Sequence, residues 1–352
     1  MITFRPLLMT GLKKLGRLVP DLECAAVEQI ELAPSSQRYI RPAVFLPGQI
    51  ERISGTEFGT RDEVVRDFQG GFDSTEAPTV AYRMKSVDLV DGALYAKGAV
   101  KHLKVRNQRI PIYRQPTNVG SGAIFESWLG NRWFGNWLQD DCLTYPLASQ
   151  FGTPFTTRVR PGGHVPEYES VLGMMPLRSE HAHFEELTVF CDFSHNESRR
   201  ARSEEFRKKL IATSRYKHHA GVFLLRGTTG DKRVLLNERA AAEHLAAKYG
   251  LQVLDPSTAS LEQIIEACAG ARTIVGVEGS HLVHGLMIMP ANASLLVIQP
   301  PTRTVSVLKF VTDRQGQTYA FVVGKGSDQE FSVSIEELER TLDLAHERSE
   351  AA

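Results

Sequence analysis

The sequence lacks most of the short signatures that announce a chemistry. No GxxxxGK(S/T) loop occurs, which excludes a P-loop nucleotide site. No GxGxxG opens the first strand–helix unit, so a dinucleotide site has little support, and no GxSxG elbow marks an esterase. The four cysteines, Cys24, Cys142, Cys191 and Cys268, lie far apart and form no CxxC pair. They read as reduced thiols of a cytosolic protein, not as a disulfide frame or a zinc site. No run of about 18 apolar residues is present, so no simple helix spans a membrane. Excess charge is missing too. The 41 Lys and Arg balance 41 Asp and Glu, which argues against a nucleic-acid partner held by bulk charge. There is no repeat of a whole domain and no low-complexity tract.

What remains is an ordinary soluble composition, 42% hydrophobic, in a chain of 352 residues. That length suits two domains of roughly 100–200 residues each. The first twenty residues carry Arg5, Lys13, Lys14 and Arg17 and no acid, with Leu8, Leu12, Leu15 and Val19 able to share a helical face. They are expected to form a helix packed on the domain; the second reading is a peripheral contact with anionic lipid through residues 1–20. Residues 22–115 are rich in turns, with short apolar runs at Ala43–Leu46, Val87–Val90 and Ile110–Tyr113. Asp91-Gly92 reads as a hairpin turn inside a β-rich portion.

All three tryptophans, Trp128, Trp133 and Trp137, fall within ten residues. The run Asn131–Leu143 suits one helix with a buried aromatic face, and Trp133 and Trp137 read first as core. Asn136, Asp140 and Asp141 lie beside that stripe, and a carboxylate there is either on a solvated face or lining a pocket. Leu187–Phe190 is expected as a strand. Ser194–Ser198 caps a charged helix, Glu197–Ala212, whose basic residues read as a solvated face and which would bridge two domains.

From residue 221 the pattern alternates. Strands are expected at 221–225, 251–254, 273–277, 294–298 and 321–323, and helices at 238–249, 261–269, 280–289 and 335–345. Ser260-Leu-Glu-Gln263 fits a capping box. Such an order implies a parallel sheet covered on both faces. Thr273–Val277 is apolar or β-branched apart from Gly276, as a buried strand requires. Gly279 then permits a sharp turn into the next helix, which aims that helix at the sheet's carboxyl edge, where α/β proteins bind ligands. Ser280 and the N–H groups behind it favour an anion such as a diphosphate.

Glu278, His281 and His284 crowd this turn. Three readings are open: the two histidines and Glu278 hold a metal, Glu278 or a histidine handles a proton or sugar hydroxyl while the backbone holds phosphate, or the histidines are plainly structural. Arg226, at the end of strand 221–225, is expected in the same crevice. Gly227 and Gly230 make its loop pliable, Lys232 and Arg233 add charge, and Asn237 caps the next helix at Glu238.

These residues also carry a resemblance. Val222–Arg226, Arg233–Glu238, Val253–Pro256, Ser260–Gln263 and Ala271–Pro290 resemble the C-terminal half of glycosyltransferase family 61, which includes capsular polysaccharide, xylosyl- and N-acetylglucosaminyltransferases. Asn131–Leu143 is similar to the family's N-Y-x-H-W-L-x-D stretch, with Asn136 where a histidine is usual, Trp137 retained and Asp140 on the acid. The usual H-G-A-G-L-T-N turn is Glu278–His284 here, with Glu278 at its histidine and His284 at its asparagine.

The resemblance implies an α/β, GT-B-like fold: two Rossmann-like domains facing a cleft, the N-terminal portion with extra β structure. The expected division is an acceptor-side domain at 1–195 and a nucleotide-sugar domain at 196–352, whose last helix packs back on the first. The implied activity is inverting, metal-independent transfer of a hexose or pentose from a nucleotide-sugar donor to a glycan or polysaccharide hydroxyl, in the cytoplasm or at the inner membrane. No cofactor and no nucleic-acid partner are expected. Asp140 is the first candidate base, with Glu278 and His281 as competitors. Arg226, Arg233, Asn237, Glu238, Gly279, Ser280 and His284 are the donor-side candidates, and Asn136 and Trp137 the acceptor-side ones. The alternatives are a metal-dependent hydrolase using Glu278, His281 and His284, and a non-catalytic nucleotide- or glycan-binding relative.

Overall fold

The computed structural model describes residues 2–15, 19–107, 113–114, 118–212, 214–228, 233–327 and 329–350. Arg17, Gly230, Lys232 and most of the run at 110–113 therefore lie outside the described residues. The chain forms two compact units, Met1–Ser36 with Ala77–Ser194, and Gln37–Glu76 with His195–Ala352.

The first unit is built on an eight-stranded mixed sheet. Thr79–Val90 and His181–Cys191 pair antiparallel at its centre. Asn118–Ile124, Thr153–Thr156 and Leu177–Arg178 add to the His181–Cys191 side in parallel. Ala93–Ala96 and Ala99–His102 add to the other side as antiparallel hairpins. The mixed pairing departs from a Rossmann-like parallel sheet, because the hairpins set strand direction locally. Asp91 (φ 46°) and Gly92 (φ 73°) form the expected two-residue turn, whose positive φ angles suit the right-handed twist of the flanking strands. Leu89, Leu94, Phe155, Phe184 and Leu187 share the buried core.

The N-terminal helix covers Arg5–Lys14. Met9 is buried, and Leu12 and Val19 pack beside it on Val90, Tyr95 and Val100. Leu8 and Leu15, expected on the same face as Leu12, are 59% and 78% exposed. The helix docks through the Met9 side instead.

In the second unit a parallel sheet alternates with helices. Its elements are β1 (Val222–Leu224), α1 (Glu238–Tyr249), β2 (Gln252–Leu254), α2 (Leu261–Ala269), β3 (Thr273–Val277), α3 (Leu282–Ile288), β4 (Ser294–Gln299), α4 (Val307–Gln315), β5 (Thr318–Val323) and α5 (Ile335–Glu350). The strand order is β2-β1-β3-β4-β5, parallel throughout. β3 and β4 are buried at every position, as strands covered on both faces must be. The capping box at α2 is formed: the Ser260 hydroxyl accepts the Gln263 N–H at 3.2 Å, and Gln263 Oε1 accepts the Ser260 N–H at 2.9 Å. Leu338, Leu342 and Ala345 of α5 join Val275, Leu296, Ala320 and Val322 in this unit's core.

Residues 37–76 are tied into the same unit. The Val44 N–H donates to the Tyr319 carbonyl at 2.8 Å, and Val44 accepts from Phe321 at 3.0 Å, extending the sheet beyond β5. Phe68 stacks on Phe321 at 4.2 Å between centroids. The Arg52 guanidinium forks onto the Glu337 carboxylate at 2.6 and 2.5 Å. Phe68 has no exposed surface. Phe68→Ala is therefore expected to cost about 3–5 kcal/mol in urea unfolding, the range for deleting a buried ring. A loss under about 1 kcal/mol would mean that this segment is not part of the unit's core.

Candidate functional site

The strand order decides where the second unit can hold a ligand. α1 takes the chain from β1 to β2 on one side, and the later elements build β3 on the other. A crevice opens where the order reverses, outside the carboxyl ends of β1 and β3. Leu225 and Arg226 leave β1 there, and Glu278, Gly279 and Ser280 leave β3 there.

Charged side chains from four segments meet at this point. Glu238, the first residue of α1, accepts the N–H groups of Arg226 and Gly227, each at 2.8 Å. Burial pushes its carboxyl up, opposed by those two N–H bonds. Arg226 Nη1 donates to the Arg233 carbonyl at 3.1 Å. Burial and the neighbouring Arg233 lower the Arg226 pKa, though a guanidinium stays cationic at neutral pH. Arg233 is ion-paired with Glu278, and both are about nine-tenths buried. Arg233 also sits at φ 126°, a strained backbone for a side-chain-bearing residue, and such strain clusters at functional sites.

Arg303, which no sequence motif singled out, is a third cation here. It follows β4 and Pro300-Pro301, with Nη1 3.8 Å from Glu278 and Nε donating to Glu57 Oε2 at 2.8 Å. The rule that located Arg226, a residue just past the carboxyl end of a parallel strand, would also have found Arg303.

The turn after β3 depends on small residues. A Cβ on Gly279, at φ 156°, would lie 3.2 Å from His281 Nδ1 and 3.5 Å from Arg226 Nε. Ser280 is half-buried in the same turn. His281 keeps some surface, but its Nε2 is buried. Burial, Arg226 and Arg233 bring its pKa down to about 3, with the Leu224 backbone opposing. The imidazole is therefore neutral at pH 7 and weakly basic, far from the pKa near neutrality that suits a general base. His284 is 4% exposed, within α3. That helix covers Leu282–Ile288, shorter than the expected 280–289.

Asn237 does not join the group. Its Nδ2 donates to the Val333 carbonyl at 2.8 Å and its Oδ1 accepts the Val333 N–H at 3.1 Å. It stands at the N-cap position of α1 without a side-chain capping bond. Both ends of its amide are committed to Val333 instead of a ligand or a cap.

A separate cluster forms in the first unit. The single helix expected over 131–143 is broken. Trp133 is extended (φ −128°, ψ 132°) after the helix Trp128–Arg132, and Trp137–Asp141 is a π-helical turn leading into the helix Cys142–Phe151. π-turns inside helices often mark functional positions. Asn136 Nδ2 donates to Asp140 Oδ2 at 2.8 Å. Trp137 is 2% exposed, edge-on to Tyr168 with the Arg158 guanidinium over its ring, so it is core rather than an acceptor-facing surface.

Asp140 lines a cavity of about 20 Å³ with Glu126, Ser127, Asp141, Thr144 and Asp192. That is room for roughly one water or hydroxyl. Glu126 and Asp192 are already saturated: Thr156 Oγ1 and the Thr157 N–H bond the former, Thr79 and Thr144 hydroxyls the latter. Asp141 accepts from Ser127 Oγ at 2.8 Å. Burial holds its carboxyl well above the usual range, Ser127 opposing and Glu126 and Asp140 adding. Its Oδ2 presses on Gly130, where a Cβ would come within 1.8 Å, so only glycine fits. Of the two readings open for Asp141, it takes the pocket-lining one, and the π-turn places it there. The basic face expected on Glu197–Ala212, where the helix covers Glu197–Ile211, is also partly built in: Arg199 has no exposed surface, and Arg207 Nε donates to the Ile288 carbonyl at 2.7 Å.

The metal-dependent alternative is not favoured. Among the described residues no group of three or more His, Cys, Asp and Glu is placed to hold an ion. Glu278 is taken by arginines.

The second unit is thus an open, doubly wound parallel sheet with an arginine-lined switch point. A family model described as Glycosyltransferase 61 matches residues 126–296, and over this stretch, just under half of the chain, the sequence is similar to glycosyltransferase family 61. The match takes in Asp140, Arg226, Arg233 and Glu278 and stops short of Arg303. A comparison with curated proteins finds no match. Among solved structures, the metal-soaked Flv1 flavodiiron core from Synechocystis sp. PCC6803 is similar at 11% identity and a TM-score of 0.27, over 77% of this chain and 64% of that chain. So low a score carries no argument. Among the described residues no helix is long and apolar enough to cross a membrane.

The depressed His281 pKa has a consequence for stability. The unfolded chain takes up a proton near pH 6.5 that the folded chain refuses until about pH 3, so His281 costs stability as pH falls through that window. His281→Gln is expected to lose less stability than the wild type between pH 7 and pH 4, measured by urea unfolding (about one proton's linkage). Parallel pH profiles would contradict the buried, cation-flanked ring.

Proposed function

We propose that the protein is an inverting, metal-independent glycosyltransferase that moves a sugar from a nucleotide-sugar donor to a hydroxyl of a glycan or polysaccharide. The observation that supports it most is the convergence of Arg226, Arg233 and Arg303 at the switch point of the second unit's sheet. Guanidinium forks match phosphate oxygens, and their charge persists through the reaction. They would stabilise the nucleoside diphosphate as it leaves, which is the work a divalent cation performs elsewhere. The Glu278 carboxylate now occupies Arg233 and Arg303. A donor diphosphate would take over these cations, and Glu278 would be released to a sugar hydroxyl. Ser280, Gly279 and His284 complete the donor side by lining or shaping the same turn.

Asp140 is the proposed base. The acceptor hydroxyl gives its proton to the Asp140 carboxylate as its oxygen bonds the anomeric carbon. The bond from that carbon to the diphosphate oxygen breaks, and the configuration inverts. Asn136 holds the Asp140 carboxylate by its 2.8 Å bond. The low basicity of His281 and the ion pairs of Glu278 weigh against either as the base. The reading includes a GT-B architecture, a hexosyl or pentosyl donor, a role in capsule or polysaccharide synthesis, and action in the cytoplasm. It also includes a peripheral contact of residues 1–20 with anionic lipid, where Phe4, Leu7 and Leu8 are exposed. Absence of cosedimentation with anionic vesicles would remove that last part.

Arg226→Ala and Arg303→Ala are each expected to weaken UDP-type ligands by about 1.5–3 kcal/mol in calorimetry, the cost of losing a charge-assisted bond. Unchanged affinity in both would remove the donor site from this crevice. Asp140→Asn is expected to lower kcat by roughly 100-fold or more while leaving donor affinity intact. Full activity in that variant would exclude Asp140 as the base.

A further inference from the structure

We propose that the opposite, amino-terminal edge of the second unit's sheet carries a separate binding cup for a phosphate-class dianion. The segments entering β1, β3 and β4 enclose a cavity of about 420 Å³ there. Its polar lining comes from His218, His219, Arg272 and Asn292, and no Asp or Glu lines it. The approach to β1 reads Arg215-Tyr-Lys-His-His219, without an acid, and Arg215, Lys217, His218 and Arg272 are all exposed. A pocket lined by a guanidinium, two imidazoles and an amide, with no carboxylate in its lining, favours an anion. A guanidinium beside imidazoles adds the directed donors that suit phosphate oxygens.

The cup has a fixed backbone. The His219 N–H donates to the Gly270 carbonyl at 3.1 Å, the Arg272 N–H to the His219 carbonyl at 3.0 Å, and the Ser294 N–H to the Arg272 carbonyl at 3.0 Å. These bonds stitch the three segments together at the points where the lining side chains depart. Gly270 allows the closest approach, since a Cβ there would lie 2.0 Å from the Lys217 carbonyl oxygen. His219 Nε2 lies 3.0 Å from the Ala267 carbonyl, so that nitrogen carries the hydrogen. Its Nδ1 is buried and has no hydrogen-bond partner among the described residues. Arg226, Arg233 and Arg303 sit past the carboxyl ends of the strands, so the two sites are at opposite sheet edges and neither depends on the other.

The test titrates inorganic phosphate into the full-length protein at constant ionic strength, following histidine ring signals by NMR. Saturable shifts in the His218 and His219 signals are expected. Arg272→Ala should weaken this response at least fivefold, Arg272→Lys should restore part of it, and Arg226→Ala should leave it unchanged. An unaltered thermal midpoint checks that Arg272→Ala is folded. The proposal is overturned if the His218 and His219 signals do not move, if Arg272→Ala responds like the wild type, or if Arg226→Ala abolishes the response. Failure here leaves the donor-site reading untouched, because that reading rests on UDP affinity and on Arg226 and Arg303.

Discussion

β1 has β2 on one side and β3 on the other, and the chain reaches them by crossovers that leave in opposite directions. No backbone fills the space outside the carboxyl ends of β1 and β3, so side chains line it. The residues that leave these strands and β4 are Arg226, Glu278 and Arg303, and Arg233 and Glu238 close in from the segment before and at α1. Burying so many charges together is costly unless each finds a counter-charge. The chain supplies Glu278 for Arg233 and Arg303, Glu57 for Arg303, and two backbone N–H groups for Glu238. On the proposed donor reading, the carboxylates that balance these arginines at rest mark the places where phosphate oxygens would stand.

The first unit treats its carboxylates differently. Glu126 and Asp192 are saturated by hydroxyl and N–H donors, and Asp141 is buried on Ser127. Asp140 keeps partial exposure on a π-turn and faces a water-sized cavity. All four acids line that cavity, and Asp140 is the least buried of them. The π-turn matters because it rotates Asp140 and Asp141 away from the positions that regular helical spacing would give them.

Much of the second unit could be read from local pattern. The boundaries of α1, α2 and β3 follow from caps and apolar runs confined to a few residues, such as Ser260 and Gln263. Arg226 and Glu278 could be placed because position at a strand end follows directly from the strand. What could not be read depends on distant partners. Nothing local ties Val44 or Phe68 to β5, because those contacts span more than 240 residues of sequence (Phe68 to Phe321). Asn237 carries the chemistry of a cap, yet Val333, 96 residues on, claims its amide. Trp137, read from its helical spacing as core, packs against Tyr168 and Arg158 as that reading expects; only the family resemblance had put it on the acceptor side. Leu8 and Leu15 fit a helical face on paper, but the helix docks through Met9.

The most direct measurement of the central claim is a crystal structure of the full-length protein soaked with a nucleoside diphosphate. The account expects the two phosphates past the ends of β1 and β3, within hydrogen-bond distance of Arg226 and Arg303, with the Glu278 carboxylate turned away from Arg233. A diphosphate bound elsewhere on the chain, or one at the crevice with Glu278 still locked on both arginines, would contradict it.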